Sequence, residues 1–475
     1  MGNSFDVVIV GSGGAGLAAA AESAAAGAST LVLERAPITG GSTAMSGGVF
    51  YAAGTSVQRE RGITDSWEEM ERYYLTLNQY RVNPALVRVL CRESGAALEW
   101  LLELGVSFPA QGLYESGVDG VPRGHTAARG GSEIAEALRR AAESRGATFW
   151  LSSPVTALRQ EHGEIVGVLA RGGRGEESEV AARSVVLTTG GFGQDPEMVR
   201  RHYPSAAQWG PRTWAISCPG SDGSGLKLGQ RAGAAITGHD RGLLLLTPAF
   251  EQKLEVDPPH WLIYVNRCGR RFVRESAPYA VMSGVAEAQP GAIVFAVFDE
   301  ASLRQSEPSP EVAAGIESGI VTYQWEYDHI QAQVAKGKAF AAESLAELAR
   351  RAGIDPSGLE RTVADYNSYA KHGADLGFFK EPEALRPINE SPFYAVQMIP
   401  ATICLTSAGL AIDTHARVLD PGGRPIPGLY AAGETTGGVL GERYVGGGNS
   451  IANAVVFGRI AGRASAARAL GEPRP

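Results

Sequence analysis

Residues 11–16, GSGGAG, follow the apolar run FDVVIV and precede an alanine-rich stretch, while Glu34 and Arg35 close the next apolar run, STLVL. The spacing of Gly11, Gly13 and Gly16 fits the fingerprint of a dinucleotide-binding strand–turn–helix. Two glycines let the turn close and the backbone approach a pyrophosphate. The third lets the helix, with Gly14 and Ala15 in its first turn, pack on the strand. The helix N-terminus then faces the phosphates, and Glu34 accepts hydrogen bonds from ribose hydroxyls. An acid at that position disfavours a 2′-phosphate and hence NADP, leaving FAD and NAD.

Two further glycine turns bear on that choice. TTGGFG (188–193, with Thr189 and Gly190) and YAAGE (430–434, with Gly433 and Glu434) each end an apolar run. Such turns recur in large flavoproteins where strands close on FAD, and a nicotinamide enzyme has no need of a glycine nest near its C-terminus. FAD is therefore favoured. The stretch GERYVGGGNSIANAVVFGRIAG (441–462) then puts Tyr444 and three consecutive glycines before a helical pattern. Glycines in a row cost backbone entropy and sit where backbone must come close to something. The N–H groups of Asn449, Ser450 and Ile451, with the helix dipole, are placed to stabilise negative charge on a reduced flavin ring. The same residues also read as a capped core helix with Asn449 or Ser450 as N-cap.

The elements that must hold these residues follow the same logic. Residues 5–34 form one βαβ unit, 132–147 an amphipathic helix, and 184–193 a buried strand ending in glycines. From about 239 to 390 the pattern loosens into Pro-rich segments, mixed strands and helices, and the βα logic returns at 428–434. The expected fold class is α/β: a Rossmann-like domain (1–238 and 391–475) carrying an inserted α+β capping domain at 239–390. With 475 residues, 44% of them hydrophobic and 20% charged, the chain has an ordinary globular composition. A net charge of −8 argues against nucleic acid and anionic membrane surfaces. No apolar run reaches the roughly 20 residues of a membrane span, and Met1 leads into a strand without a basic leader. The four cysteines have no metal or haem-attachment spacing and read as buried, reduced cytoplasmic thiols. No metal, iron–sulfur cluster or covalent haem is expected.

Taken together, VVIVGSGGAGLAAA, GGSTAMSGG, TTGGFG, GLYAAGE and GGGNSIANAVVFGRIAG resemble the flavoprotein family of fumarate reductases, succinate dehydrogenases and 3-ketosteroid dehydrogenases. The resemblance implies FAD in a Rossmann-like domain with an inserted capping domain. Members that attach FAD covalently use a histidine just before the TxxxxGG segment; GGST at that place implies non-covalent FAD. By the same carry-over, Gly41, Ser42, Thr43, Ser46, Gly47, Gly48, Val155 and Asp222 join the residues above as cofactor contacts.

The branches of that family differ in charge. A fumarate-type site binds two carboxylates, which calls for bidentate arginines and a histidine. Here the matching stretch ATICLTSAGL has Cys404 and Leu405, and GRRFVRESAPYAV has Tyr279 four residues after Glu275 where the reductases have an arginine. ESAPY is instead similar to the segment that supplies the catalytic-base tyrosine of 3-ketosteroid dehydrogenases. In those enzymes a C-terminal tyrosine and the amide of a glycine four residues later hold the ketone oxygen, the relation in which Tyr444 and Gly448 stand. Another tyrosine assists the base, and Tyr114 in GLYESG is the candidate. The chemistry agrees: removing an α proton and a β hydride requires a polarised carbonyl, and each oxyanion donor contributes about 3 kcal/mol. YVGGG stands where steroid enzymes read YPGPG, so a smaller ring ketone, such as cyclohexanone or 4-oxocyclohexanecarboxylate, fits as well as a steroid. Arg443 reads equally as a surface residue or as the partner of a substrate carboxylate. The expected activity is FAD-dependent α,β-desaturation of a cyclic ketone, with an electron acceptor of unidentified type. The alternatives are a fumarate-type ene-reductase and a flavin-carrying electron-relay subunit.

Overall fold

The computed structural model describes residues 3–172, 176–252, 258–308, 313, 316–317 and 322–471. The chain divides into two compact units, one of residues 1–208, 217–243 and 403–475, the other of 209–216 and 244–402.

The first unit is built on a parallel sheet. The first strand, Asn3–Val10, pairs in parallel with Thr30–Leu33 on one side and with Glu177–Leu187 on the other. Thr148–Trp150 extends the sheet beyond the first neighbour and Pro425–Ala431 beyond the second. The first strand has neighbours on both sides and helices over its faces, so its apolar run is continuous rather than alternating; Val7, Val8 and Ile9 are fully buried. The helix Gly14–Ala25 follows at once and keeps Leu17 and four consecutive alanines out of water. Alanine is used here because the long C-terminal helix, Asn449–Leu470, lies against it at close range. A β-carbon at Gly458 would stand 2.5 Å from the Ala15 carbonyl, and one at Gly462 would strike that of Ala19. These glycines four residues apart answer the GRIAG pattern: they are packing contacts between helices.

The second unit is α+β. Its sheet runs in the order Trp214–Ala215, Phe393–Thr406, Val294–Asp299, Ile263–Asn266, with helices Tyr279–Glu287, Tyr327–Ala335, Leu345–Ala352 and Pro356–His372. Residues 209–216 and 391–402, which the sequence reading assigned to the first domain, lie in this unit because both supply strands to its sheet. A charged cluster is buried inside it. Arg271 donates to Glu275 at 2.7 Å and to Asp375 at 2.9 Å, and Lys380 Nζ lies 3.4 Å from Glu275 and donates to the Leu262 carbonyl at 2.7 Å. Buried charges are tolerated when paired in this way.

Among the described residues no helix is long and apolar enough to cross a membrane, and no group of acidic, histidine and cysteine side chains has metal-site geometry. Cys91 is fully buried, Cys218 and Cys404 are half-buried and Cys268 is exposed, against the expectation of burial for all four.

Candidate active site

The fingerprint glycines serve separate purposes. Gly11 adopts φ +101°, and a β-carbon there would stand 2.6 Å from the Thr188 carbonyl. One at Gly16 would collide with the Gly11 carbonyl, so this glycine fixes helix against strand. At Gly13 an added β-carbon would meet nothing within 4 Å. Its glycine is therefore not required by the protein's own packing. The N–H groups of Gly13 and Ala15 have no acceptor among the described residues, which leaves donors and the positive end of the helix facing open space. That is the fit required for a pyrophosphate. The Gly14 N–H, by contrast, is taken by Thr43 Oγ1 at 3.2 Å.

Glu34 is held rather than free. Its carboxylate accepts from Ser12 N at 2.8 Å, Ser12 Oγ at 2.6 Å and Ala36 N at 2.8 Å. An ionised carboxylate offers about four acceptor positions, so capacity remains for a ribose hydroxyl. Arg35 and Asp222 meet each other at 2.6 Å, and the Arg35 guanidinium and Ser224 hold the Asp222 carboxyl below the usual range against its partial burial. Ser42 Oγ accepts from Cys218 N at 3.0 Å. Ser46 Oγ donates to the Thr43 carbonyl. Gly41, Gly48, Gly190 and Gly433 all have positive φ, and Gly47 has open space on its β-carbon side. Thr189 lies beside Thr435 at 3.4 Å, and Val155 starts a strand paired with Ala170. The Glu434 carboxylate accepts from Thr406 N at 2.8 Å and Thr406 Oγ1 at 2.9 Å, and burial raises its pKa.

The C-terminal loop is more specific. The helix begins at Asn449 with Gly448 as N-cap and no side-chain cap of the usual kind. Neither Asn449 nor Ser450 caps it. Asn449 Nδ2 donates instead to Tyr74 Oη at 3.0 Å, and the hydroxyl that receives the Ser450 N–H, at 3.0 Å, belongs to Tyr444. Tyr444 Oη also donates to Ser450 Oγ at 3.1 Å. Gly448 is a glycine for a local reason: φ is +93°, and a β-carbon would stand 2.7 Å from the Val49 carbonyl. The N–H groups of Gly448 and Ile451 have no acceptor among the described residues. Tyr444 is buried, and burial pushes its pKa above the ordinary value. Cys404 and Tyr114 are its electrostatic neighbours. Burial also pushes the Cys404 thiol up to about 12, so it is neutral. Tyr114 is partly exposed, and the Arg443 side chain is exposed. The first unit thus gathers Tyr444, Ser450, Tyr114 and Cys404 in one place.

Tyr279 lies in the second unit, as the first residue of its helix after the N-cap Pro278, and is half-buried. The segment leading to it is anchored: Glu275 in the buried charge cluster, and Ser276 by Oγ donating to Glu381 at 2.6 Å.

With this geometry in hand, comparison with known proteins is decisive at the level of family. The family model described as FAD binding domain matches residues 6–451. The chain belongs to this FAD-binding family. A fumarate reductase (cytochrome) of Shewanella frigidimarina is 32% identical over 473 residues, covering 98% of this chain and 77% of that protein. The open conformation of a flavocytochrome c3 fumarate reductase aligns at a TM-score of 0.71 with 31% identity, over 98% of this chain and 79% of the other. The 3-ketosteroid-delta4-(5alpha)-dehydrogenase of Rhodococcus jostii RHA1, solved with 4-androstene-3,17-dione, aligns at 0.80 with 28% identity, over 98% and 97%. The protein is an FAD-dependent oxidoreductase of the fumarate reductase flavoprotein group. Sequence reasoning missed Ser12, Thr188 and Thr406, which hold the cofactor-side residues, and Tyr73, Tyr74 and Asn78, which grip the Tyr444 loop. The signal for the last three was present in YYLTLN: polar residues on a helix whose other face is apolar.

Proposed function

We propose that the enzyme desaturates the α,β C–C bond of a cyclic ketone. The observation that carries this reading is the Tyr444–Ser450 arrangement at an open helix N-terminus. A phenol kept protonated by burial accepts from a helix N–H, which polarises its O–H toward an acceptor. On binding, the ketone oxygen would take that O–H in place of Ser450 Oγ, with the Gly448 N–H as second donor. Two donors at one oxygen stabilise the charge that develops as the α proton leaves. Bound FAD supplies the acceptor for the β hydrogen, taken with its electron pair as hydride. Tyr279 is assigned the α proton, which it takes as the phenolate or while passing its own hydroxyl proton onward, so the products are the enone, one proton and reduced cofactor, whose electrons pass to a separate acceptor. The neutrality of Cys404 and the exposure of Arg443 favour a neutral ketone over a dicarboxylate.

A second reading has one observation in its favour, the 32% identity to a fumarate reductase: the same donors would serve reduction of an activated C=C bond. Anaerobic spectra separate the two. Saturated ring ketones, from cyclohexanone to steroids, should bleach the flavin absorbance under the first reading. If no ketone bleaches it and an enone or enoate reoxidises the reduced enzyme, the second reading stands instead.

A further inference from the structure

The chain on both sides of Tyr444 is gripped by one helix of the first unit. Asn78, which ends the helix Trp67–Leu77 and is 1% exposed, makes two hydrogen bonds to a single residue. Its Oδ1 accepts the Arg443 N–H at 2.7 Å, and its Nδ2 donates to the Arg443 carbonyl at 3.1 Å. On the other side, Tyr73 Oη donates to the Val445 carbonyl at 2.8 Å while accepting from Val118 N at 3.0 Å. Tyr74 Oη donates to the Val439 carbonyl at 2.8 Å. Gly441 has φ +53°, and a β-carbon there would collide with Asn78 Oδ1. The loop therefore admits the Asn78 amide only because residue 441 is glycine.

We propose that Asn78 is a positioning residue for Tyr444, clamping the Arg443 peptide so that the phenol stays aligned with the helix N-terminus. This rests on the role given to Tyr444 above. The chemistry selects asparagine. An amide offers a donor and an acceptor side by side, which matches the N–H and C=O of one residue. Aspartate keeps the acceptor but faces the Arg443 carbonyl with a second oxygen, and alanine loses both bonds. Loops carry catalytic groups accurately only when their backbone is fixed by surrounding contacts.

The test uses the FAD-loaded enzyme and two readouts. Hydrogen exchange of peptides covering 441–446 should be at least about tenfold faster in Asn78→Ala than in wild type, because local opening sets exchange, while FAD content and the melting temperature hold. With the ring ketone that bleaches the flavin fastest, kcat should fall about 10- to 100-fold, the cost of a small misplacement, with KM nearly unchanged. In a Tyr444→Phe background the same substitution should cost less than about threefold, since coupled groups are not additive. Unchanged exchange, or losses that add in the double variant, overturns the inference. Full activity of Tyr444→Phe with Asn78 intact overturns the underlying reading and this inference with it, and is recognised because it appears in that single variant. If Asn78→Ala does not fold, Tyr73→Phe deletes one hydroxyl and puts the same question through Val445.

Discussion

The Tyr444 hydroxyl and Ser450 share two hydrogen bonds, accepting from the backbone N–H at 3.0 Å and donating to the side-chain oxygen at 3.1 Å. A tyrosine six residues upstream thus does what a short polar N-cap side chain usually does for a helix. The consequence is chemical as well as structural. The phenol is tied to the positive end of a 22-residue helix, and its O–H is the one part of that ring of bonds that a ligand can capture without breaking the cap.

The first prediction tests that division of labour. Tyr444→Phe removes both bonds, and kcat should fall about 10²–10³-fold, the scale of losing one oxyanion donor. Ser450→Ala keeps the backbone N–H and removes only the competing acceptor, so kcat should stay within about fivefold of wild type, KM moving little. Phenol, which resembles an enolate, should bind wild type and Ser450→Ala alike and Tyr444→Phe poorly. Equal losses in both variants would mean that the hydroxyl matters through its bond to Ser450 Oγ and not as a donor to the ketone.

The second prediction concerns the cofactor. The cradle proposed at Gly13 and Ala15 would hold FAD by hydrogen bonds and dipole, and the Gly40–Thr43 segment contains no histidine. Acid precipitation should release FAD into the supernatant. Yellow colour pelleting with denatured protein would refute a non-covalent site. In Asp222→Asn, which weakens the pair with Arg35, FAD should dissociate faster without a change in absorbance maximum.

Much of this was legible from the chain alone. The βαβ unit announced itself because strand, turn and helix are contiguous and Gly11 and Gly16 each answer a close backbone contact. The Tyr444–Gly448 spacing was legible too, but its physical basis was not: Gly448 is forced by φ and by Val49, a residue nearly 400 positions away. The same distance hides the Asn78 clamp, since nothing local in YYLTLN says which backbone it will meet. The strands Trp214–Ala215 and Phe393–Thr406 escaped notice because pairing partners in a mixed sheet are set by tertiary contact, and β propensity is weak evidence when context decides.

The third prediction is a pH dependence. Burial lowers the Lys380 pKa to about 8 from 10.5, against the opposing pull of Glu275. Below about 8 both folded and unfolded chains carry the proton. Between about 8 and 10.5 the unfolded chain binds a proton that the folded chain lacks, so this group makes stability rise with pH in that window, by about 3 kcal/mol in all. Thermal melts of wild type and Lys380→Met from pH 7 to 10 should therefore diverge, wild type gaining relative to the variant above pH 8. Parallel curves would show that Lys380 stays charged in the fold.

The last prediction concerns the proton. Tyr279 opens a helix behind Pro278, and the preceding turn is fixed by Glu275 in the buried charge cluster and by Ser276 on Glu381. Tyr279→Phe keeps the ring and those anchors, so folding and FAD absorbance should not change. What disappears is the oxygen to which the α proton is assigned in the proposed reaction, and general-base loss typically costs about 10²–10⁴-fold. The loss should fall on flavin bleaching by a saturated ketone and leave phenol binding intact, because phenol has no proton to give up at carbon. The two tyrosines then separate cleanly: Tyr444→Phe weakens phenol, Tyr279→Phe does not. Turnover of Tyr279→Phe within a few-fold of wild type would reduce Tyr279 to a packing residue and leave the desaturation reading without its base.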